Sequence, residues 1–173
     1  MLFEGVGRYG RAMGHLGLRR ATPADAAAVA VVWETGWRDG HLGNVPGALV
    51  AARTPESFRE RAAARVADIT VAEFDGVVGG FVMVAQDEVE QVYLAAEHRG
   101  SGAAADLLAE AEHQVAANGH DVAWLAVVAG NARARRFYER AGWTDDGPFD
   151  YQAPYGDTTI PVPCRRYVKP VPD

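Results

Sequence analysis

The stretch at 97–107 reads EHRGSGAAADL. Arg99, Gly100, Ser101 and Gly102 stand directly before Ala103, Ala104 and a run of good helix formers. A helix start ordinarily takes one capping side chain; two glycines there leave the main chain bare. The first N–H groups of a helix lack partners within it and form its positive end. A phosphate or pyrophosphate fits such an end when no side chain blocks the approach. Arg99 would add charge there and Ser101 a hydroxyl donor. The chemistry is anion binding by backbone at a strand-to-helix turn, and the competing reading is a flexible turn with no ligand. GSGAAA also satisfies G-x-G-x-x-A, but a dinucleotide site needs an acidic residue at the end of the next parallel strand. Asp121 precedes VAWLAVV instead of following it, and some four strands come before the glycines, which disfavours nicotinamide or flavin. No Gly-Lys-Ser/Thr follows, so a Walker A loop is excluded.

Two other pairs could handle protons. Glu88 and Glu90 alternate along EVEQVYLA (88–95), which puts them on one strand face with Val92 and Leu94. If that face is core, the carboxylates must be paired or functional; if it is solvated, they are ordinary. Asn131 and Tyr138 stand seven residues apart, two turns along one helix face, with Asn131 as the N-cap. Cys164 is the single cysteine; it reads as a small residue of a strand, since nothing near it suggests activation as a nucleophile. The five histidines show no zinc-ligand spacing with cysteine, so no metal is expected.

The elements that must position these residues follow from punctuation and periodicity. GLRRAT (17–22) reads as a strand, and TPAD opens a helix ending near Gly40. HLGNVPGA is an expected loop, and TPESFRERAAARV a second helix. ITVAEF and VVGGFVMVA form a hairpin about Asp75-Gly76. EVEQVYLA is a strand, a helix covers about 101–118, and VAWLAVV (122–128) is a buried strand. A short helix, NARARRFYERAG, and a final hairpin through WTDDGPFDYQAP and TTIPVPCRRYVK complete the chain. This order predicts one α/β domain over 16–170. Its mixed, mostly antiparallel sheet has about seven strands with helices on both faces. Residues 1–15 read as a glycine-rich extension and a candidate for disorder.

With 173 residues, 49% of them hydrophobic, the chain can bury a sizeable core. A net charge of −6 argues against nucleic acid as a partner and weakly favours cationic ones. No window approaches the roughly 20 apolar residues of a membrane helix, so no membrane partner is expected. A lone cysteine admits no internal disulfide, and the reading is a cytoplasmic protein.

Taken together, three motifs resemble the GCN5-related N-acetyltransferase superfamily. RGSGAA (99–104) fits its pyrophosphate motif, R/Q-x-x-G-x-G/A, through Arg99, Gly102 and Ala104. EVEQVYLAAEHRG is similar to the strand that precedes that motif. NARARRFYERAGW (131–143) is similar to N-x-x-A-x-x-F-Y-x-x-x-G-F/W. The firm region is about 85–145. Ala95 replaces a proline common in the family, and Ala104 a third glycine; neither disturbs the pattern.

The resemblance implies acetyl-CoA as donor, used without a metal, and a small-molecule amine as acceptor. It implies a gap between EVEQVYLA and VAWLAVV in which the pantetheine arm adds like a strand. Main-chain groups of Val92, Tyr93 and Leu94 would bond that arm, and the amides of Gly100, Ser101, Gly102, Ala103 and Ala104 the pyrophosphate beside Arg99. Asn131, Ala134 and Phe137 would join the cofactor site, Phe137 also packing on the sheet. Tyr138 would be the general acid toward sulfur. Glu90 is the first candidate base, directly or through water, and Glu88 the runner-up. Trp33, Trp37 and Tyr151 are the candidate acceptor contacts, with core and a solvated hairpin tip as the plainer readings. Two alternatives are an acyl-CoA-binding sensor without turnover and an acetyltransferase of protein N-termini or lysines. The final hairpin is a candidate for pairing or exchange in a homodimer.

Overall fold

The computed structural model describes residues 15–172, so all of the expected extension except His15 lies outside the described residues. The chain opens with β1 (Leu16–Arg20) and one 3-10 turn at Pro23–Asp25. The Asp25 carboxylate accepts from the Thr22 amide at 2.7 Å and from Arg19 at 2.8 and 2.9 Å. Those bonds hold it well below the usual carboxylate range. Helix α1 (Ala26–His41) follows directly. A short helix, α2 (Gly47–Ala52), begins in the last two residues of the expected loop and runs on past it, anchored by the buried Leu49. Tertiary burial overrides its weak propensity. Helix α3 (Pro55–Ala64) keeps the expected Thr-Pro start, with Thr54 Oγ1 accepting from the Ser57 amide at 3.2 Å.

Strands β2 (Ile69–Phe74), β3 (Val77–Ala85) and β4 (Glu88–Leu94) form an antiparallel meander. Asp75 and Gly76 carry φ +52 and +82°, the tight turn that Asp-Gly favours. Then come α4 (Ala103–Ala117), β5 (Val122–Val128), α5 (Ala132–Arg140), β6 (Thr144–Tyr155) and β7 (Thr158–Pro170). One seven-stranded sheet runs β1-β2-β3-β4-β5-β7-β6, and only the β4–β5 neighbours are parallel.

Each face of the sheet carries its own core. On one side Trp33, Trp37 and Phe58 of α1 and α3 pack on Ile69, Val71, Phe81 and Met83. On the other, Leu107, Leu108, Ala111 and Val115 of α4 pack on Val82, Val89, Leu125 and Val127. Both faces being covered explains why VVGGFVMVA and VAWLAVV are apolar runs and not alternating ones. The last hairpin has no such constraint at its far end. There Pro161 and Pro163 of β7 pair only with the edge strand β6, so a missing amide donor is tolerated.

Candidate active site

Strands β4 and β5 are held together at a single register pair, Glu88 with Trp124, where the Trp124 amide donates to the Asp87 carbonyl at 3.0 Å. Beyond it they part. The cause lies in β4: its pairing with β3 passes from Met83–Gln91 to Val84–Val89, so Glu90 is an extra, unpaired residue. Such a bulge bends its strand and increases the local twist. A cavity of about 580 Å³ opens in the gap, walled by β4, β5, α1, α3, α5 and β6. That size suits a small-molecule or cofactor site.

The bulge also corrects the expected side-chain alternation. Val89 and Val92 both face α4, whereas Tyr93 packs on the α1–α3 side. Glu90 lies on that second side too, its Oε2 at 3.0 Å from Arg65 Nη1. Glu90 therefore does not share a face with Val92. The one extra residue resets the period of two between them.

At the open end of the gap, Gly102 is the N-cap of α4 with φ +92° and no side-chain cap. Gly100 has φ +78°, and an added Cβ at either glycine would meet nothing within 4 Å. The backbone is bare, in a left-handed conformation that other side chains resist, and it faces open space. The amides of Gly100, Gly102 and Ala104 give no hydrogen bond to a backbone carbonyl among the described residues. Ser101 differs from expectation. Its hydroxyl accepts from the Ala103 amide at 3.3 Å and its own amide goes to the His98 carbonyl. Arg99 is paired with Asp39 of α1. The cradle thus rests on three free amides, with Arg99 already partnered. This arrangement fits a pyrophosphate.

Asn131 caps α5 as expected, its Oδ1 accepting from the Ala134 amide at 3.1 Å. Asn131, Ala134, Phe137 and Tyr138 all line the cavity. Burial pushes the Tyr138 phenol above its ordinary pKa, so it stays protonated at neutral pH. The Cys164 thiol also borders the cavity, and burial raises it to about 11, which leaves it a poor nucleophile.

The two carboxylates have different environments. Glu90 is tied to Arg65. Glu88 is raised from 4.5 to about 7, chiefly by burial and next by the charge of Glu90, while the nearby Tyr151 hydroxyl pulls it back. Tyr151 is in the middle of β6, opposite Val162, and not in the hairpin turn; the strands remain paired out to Tyr155 and Thr158. Trp33 and Trp37 border the cavity but belong to the core, at 1% and 6% exposure. On the β6–β7 hairpin Asp145 is held by Arg135 and Arg165.

Several contributors left no signal in the sequence. Gly36 lies within α1, where glycine costs about 1 kcal/mol against alanine. A Cβ there would stand 2.3 Å from Tyr93 Cδ1, so only glycine lets α1 approach β4 this closely. Arg53 and Arg61 also line the cavity, although in sequence they look like ordinary solvated charges. Among the described residues, no group of three or more His, Cys, Asp or Glu could hold a metal, and no helix is long and apolar enough to cross a membrane.

Several solved proteins have a similar fold. YncA of Salmonella typhimurium, solved with its cofactor acetyl-CoA, superposes with a TM-score of 0.67 at 19% identity, covering 92% of this chain and 95% of that one. PaiA N-acetyltransferase of Thermoplasma acidophilum, in complex with coenzyme A, gives 0.66 at 19% identity over 90% and 99%. An N-acetyltransferase of Staphylococcus aureus Mu50 gives 0.69 at 19% identity over 91% and 99%. A search of curated proteins finds no match. The model of the acetyltransferase (GNAT) family matches residues 45–143, more than half of the chain and the span that holds β4, the glycine turn, α4, β5 and α5. The chain belongs to the GNAT acetyltransferase family.

Proposed function

We propose that the protein transfers the acetyl group of acetyl-CoA to a primary amine of a small molecule. The observation that carries this reading is the parting of β4 and β5 after one register pair, with an unobstructed glycine turn at its open end. The free amides of Gly100, Gly102 and Ala104 hold the pyrophosphate, and the unpaired edge of β4 at Val92, Tyr93 and Leu94 bonds the pantetheine arm. Acetyl-CoA supplies an activated thioester carbonyl and a thiol leaving group.

The attacking amine must be neutral, and at neutral pH only roughly one alkylamine in a thousand is. A carboxylate titrating near 7 is matched to that task. Glu88 is therefore the base, taking the proton directly or through one water, and Glu90 sets its field while neutralising Arg65. The order of the two candidates is the reverse of the sequence-based expectation, because Glu90 is already engaged. As the new N–C bond forms and the C–S bond breaks, the amine proton leaves to Glu88. Tyr138 gives its hydroxyl proton to the departing sulfur. Much of the acceleration comes from holding both reactants in one cavity.

Two measurements test this. Calorimetric titration with coenzyme A should show one site, and thiol release measured with DTNB should follow acetyl-CoA turnover on some members of an amine panel. Binding with no turnover on any small amine, peptide or protein lysine would point to a sensor; turnover confined to peptides would move the acceptor to proteins.

A further inference from the structure

Two guanidinium groups project into the acceptor end of the cavity without carboxylate partners. Arg53 is 7% exposed and gives one N–H to the Pro154 carbonyl at 2.8 Å. Arg61 lies over the Trp33 ring, its Cζ 4.4 Å from the centroid. Neither forms an ion pair among the described residues, whereas Arg65, at the C-terminal end of α3, is paired with both Asp68 and Glu90. The indole of Trp33, which lines the same cavity under Arg61, has its Nε1 buried with no acceptor. Burial lowers the pKa of both arginines; the charge of Arg53 lowers Arg61 further, and the charge of Glu90 offsets this only in part. Tyr93 and Tyr151 flank them with phenols pushed upward by burial, so neither is a counter-ion at neutral pH.

A guanidinium taken out of water without a carboxylate partner is unfavourable, most of all for the buried Arg53, and a buried indole N–H without an acceptor adds to it. A fold keeps such donors where a ligand completes them. An anion placed there meets two guanidinium groups suited to bidentate bonding. Glu88 and Glu90 line the same cavity, and Glu88 is the proposed base for an amine. A polyamine or a simple alkylamine would leave both arginines uncompensated. We infer that the acceptor is a zwitterion, a small amine bearing a carboxylate on the same molecule, such as a free amino acid. Its carboxylate is clasped by Arg53 and Arg61, and its amine is turned to Glu88. This rests on the acetyltransferase reading and names the class of its acceptor.

The test uses the wild-type chain. Thiol release is measured with acetyl-CoA and each common amino acid, beside the matching decarboxylated amine and the matching amide. A charge-assisted bond contributes about 1.5–3 kcal/mol, so kcat/KM for the preferred acid should exceed that of its decarboxylated amine by about 10–100-fold. Arg61→Gln should remove that preference, raising KM for the acid by a similar factor and leaving KM for acetyl-CoA unchanged. Coenzyme A titration of the same variant verifies that it is folded. Decarboxylated amines turned over as well as the acids, or an Arg61→Gln loss equal for both, would overturn the zwitterion while the acetyltransferase stands. Coenzyme A binding with no turnover of any amine would overturn both.

Discussion

Replacing Glu88 by glutamine isolates the base. Its carboxyl is raised from 4.5 to about 7, first by burial and then by the charge of Glu90. With that value roughly one molecule in ten is ionised at pH 6 and nine in ten at pH 8. The wild-type kcat/KM should therefore climb about tenfold between those pH values and then level off toward the amine's own titration. Glu88→Gln should abolish that limb and lower the plateau by about 10²–10⁴-fold, the usual contribution of a positioned base. Two neighbours provide a check on direction. Glu90→Gln removes a negative charge beside Glu88, so the limb should move to lower pH. Tyr151→Phe removes the hydroxyl that favours the carboxylate, so the limb should move to higher pH. The assay is thiol release under subsaturating acceptor from pH 5.5 to 9, with coenzyme A affinity measured in parallel. A Glu88→Gln enzyme that keeps both its rate and a limb near pH 7 would refute the assignment.

Other changes have equally definite outcomes. Tyr138→Phe should depress kcat by about 10²–10⁴-fold with little change in KM for acetyl-CoA, as expected for a lost general acid; a wild-type rate in a full kinetic profile would remove the residue from the chemistry. Gly102→Glu places a charged side chain in the open space before α4 and an unfavourable residue at φ +92°. Calorimetry should then find no coenzyme A binding by a chain that circular dichroism shows to be folded. His41 stacks on Trp37 and bonds its carbonyl at 2.9 Å, and burial lowers its pKa from 6.5 to about 4. Below pH 6.5 the unfolded chain takes up a proton that the native state refuses, so stability is lost as the pH falls from 6.5 toward 4. By pH 5 this amounts to at most about 2 kcal/mol. Urea midpoints at pH 7.5 and 5 should therefore draw closer together in His41→Gln than in the wild type.

Much of the scaffold is legible in short stretches because its causes are local. Thr-Pro starts, the Asp75-Gly76 turn, the glycines after α4 and α5, and the free amides of Gly100, Gly102 and Ala104 all depend on backbone preferences of a few neighbouring residues. Apolar runs covered on both faces and helical spacing between Asn131 and Tyr138 carried the strands and α5. Residues 99–104 and 131–138 therefore declare the half of the site proposed for the cofactor. The acceptor half depends on tertiary structure. The bulge at Glu90 exists only in the pairing of β4 with β3, and it changes which face each later side chain meets. Tyr151 meets Glu88 although β5 and β7 stand between their strands in the sheet order, so the pairing is set by the tertiary fold and not by neighbouring strands. Helix α2 forms because Leu49 finds a core to enter. Arg53, at the end of α2, and Arg61, on α3, are left without carboxylate partners only when both helices are laid against the sheet. Strand register and the counting of charges within one cavity are sums over distant residues, and no local spacing encodes them.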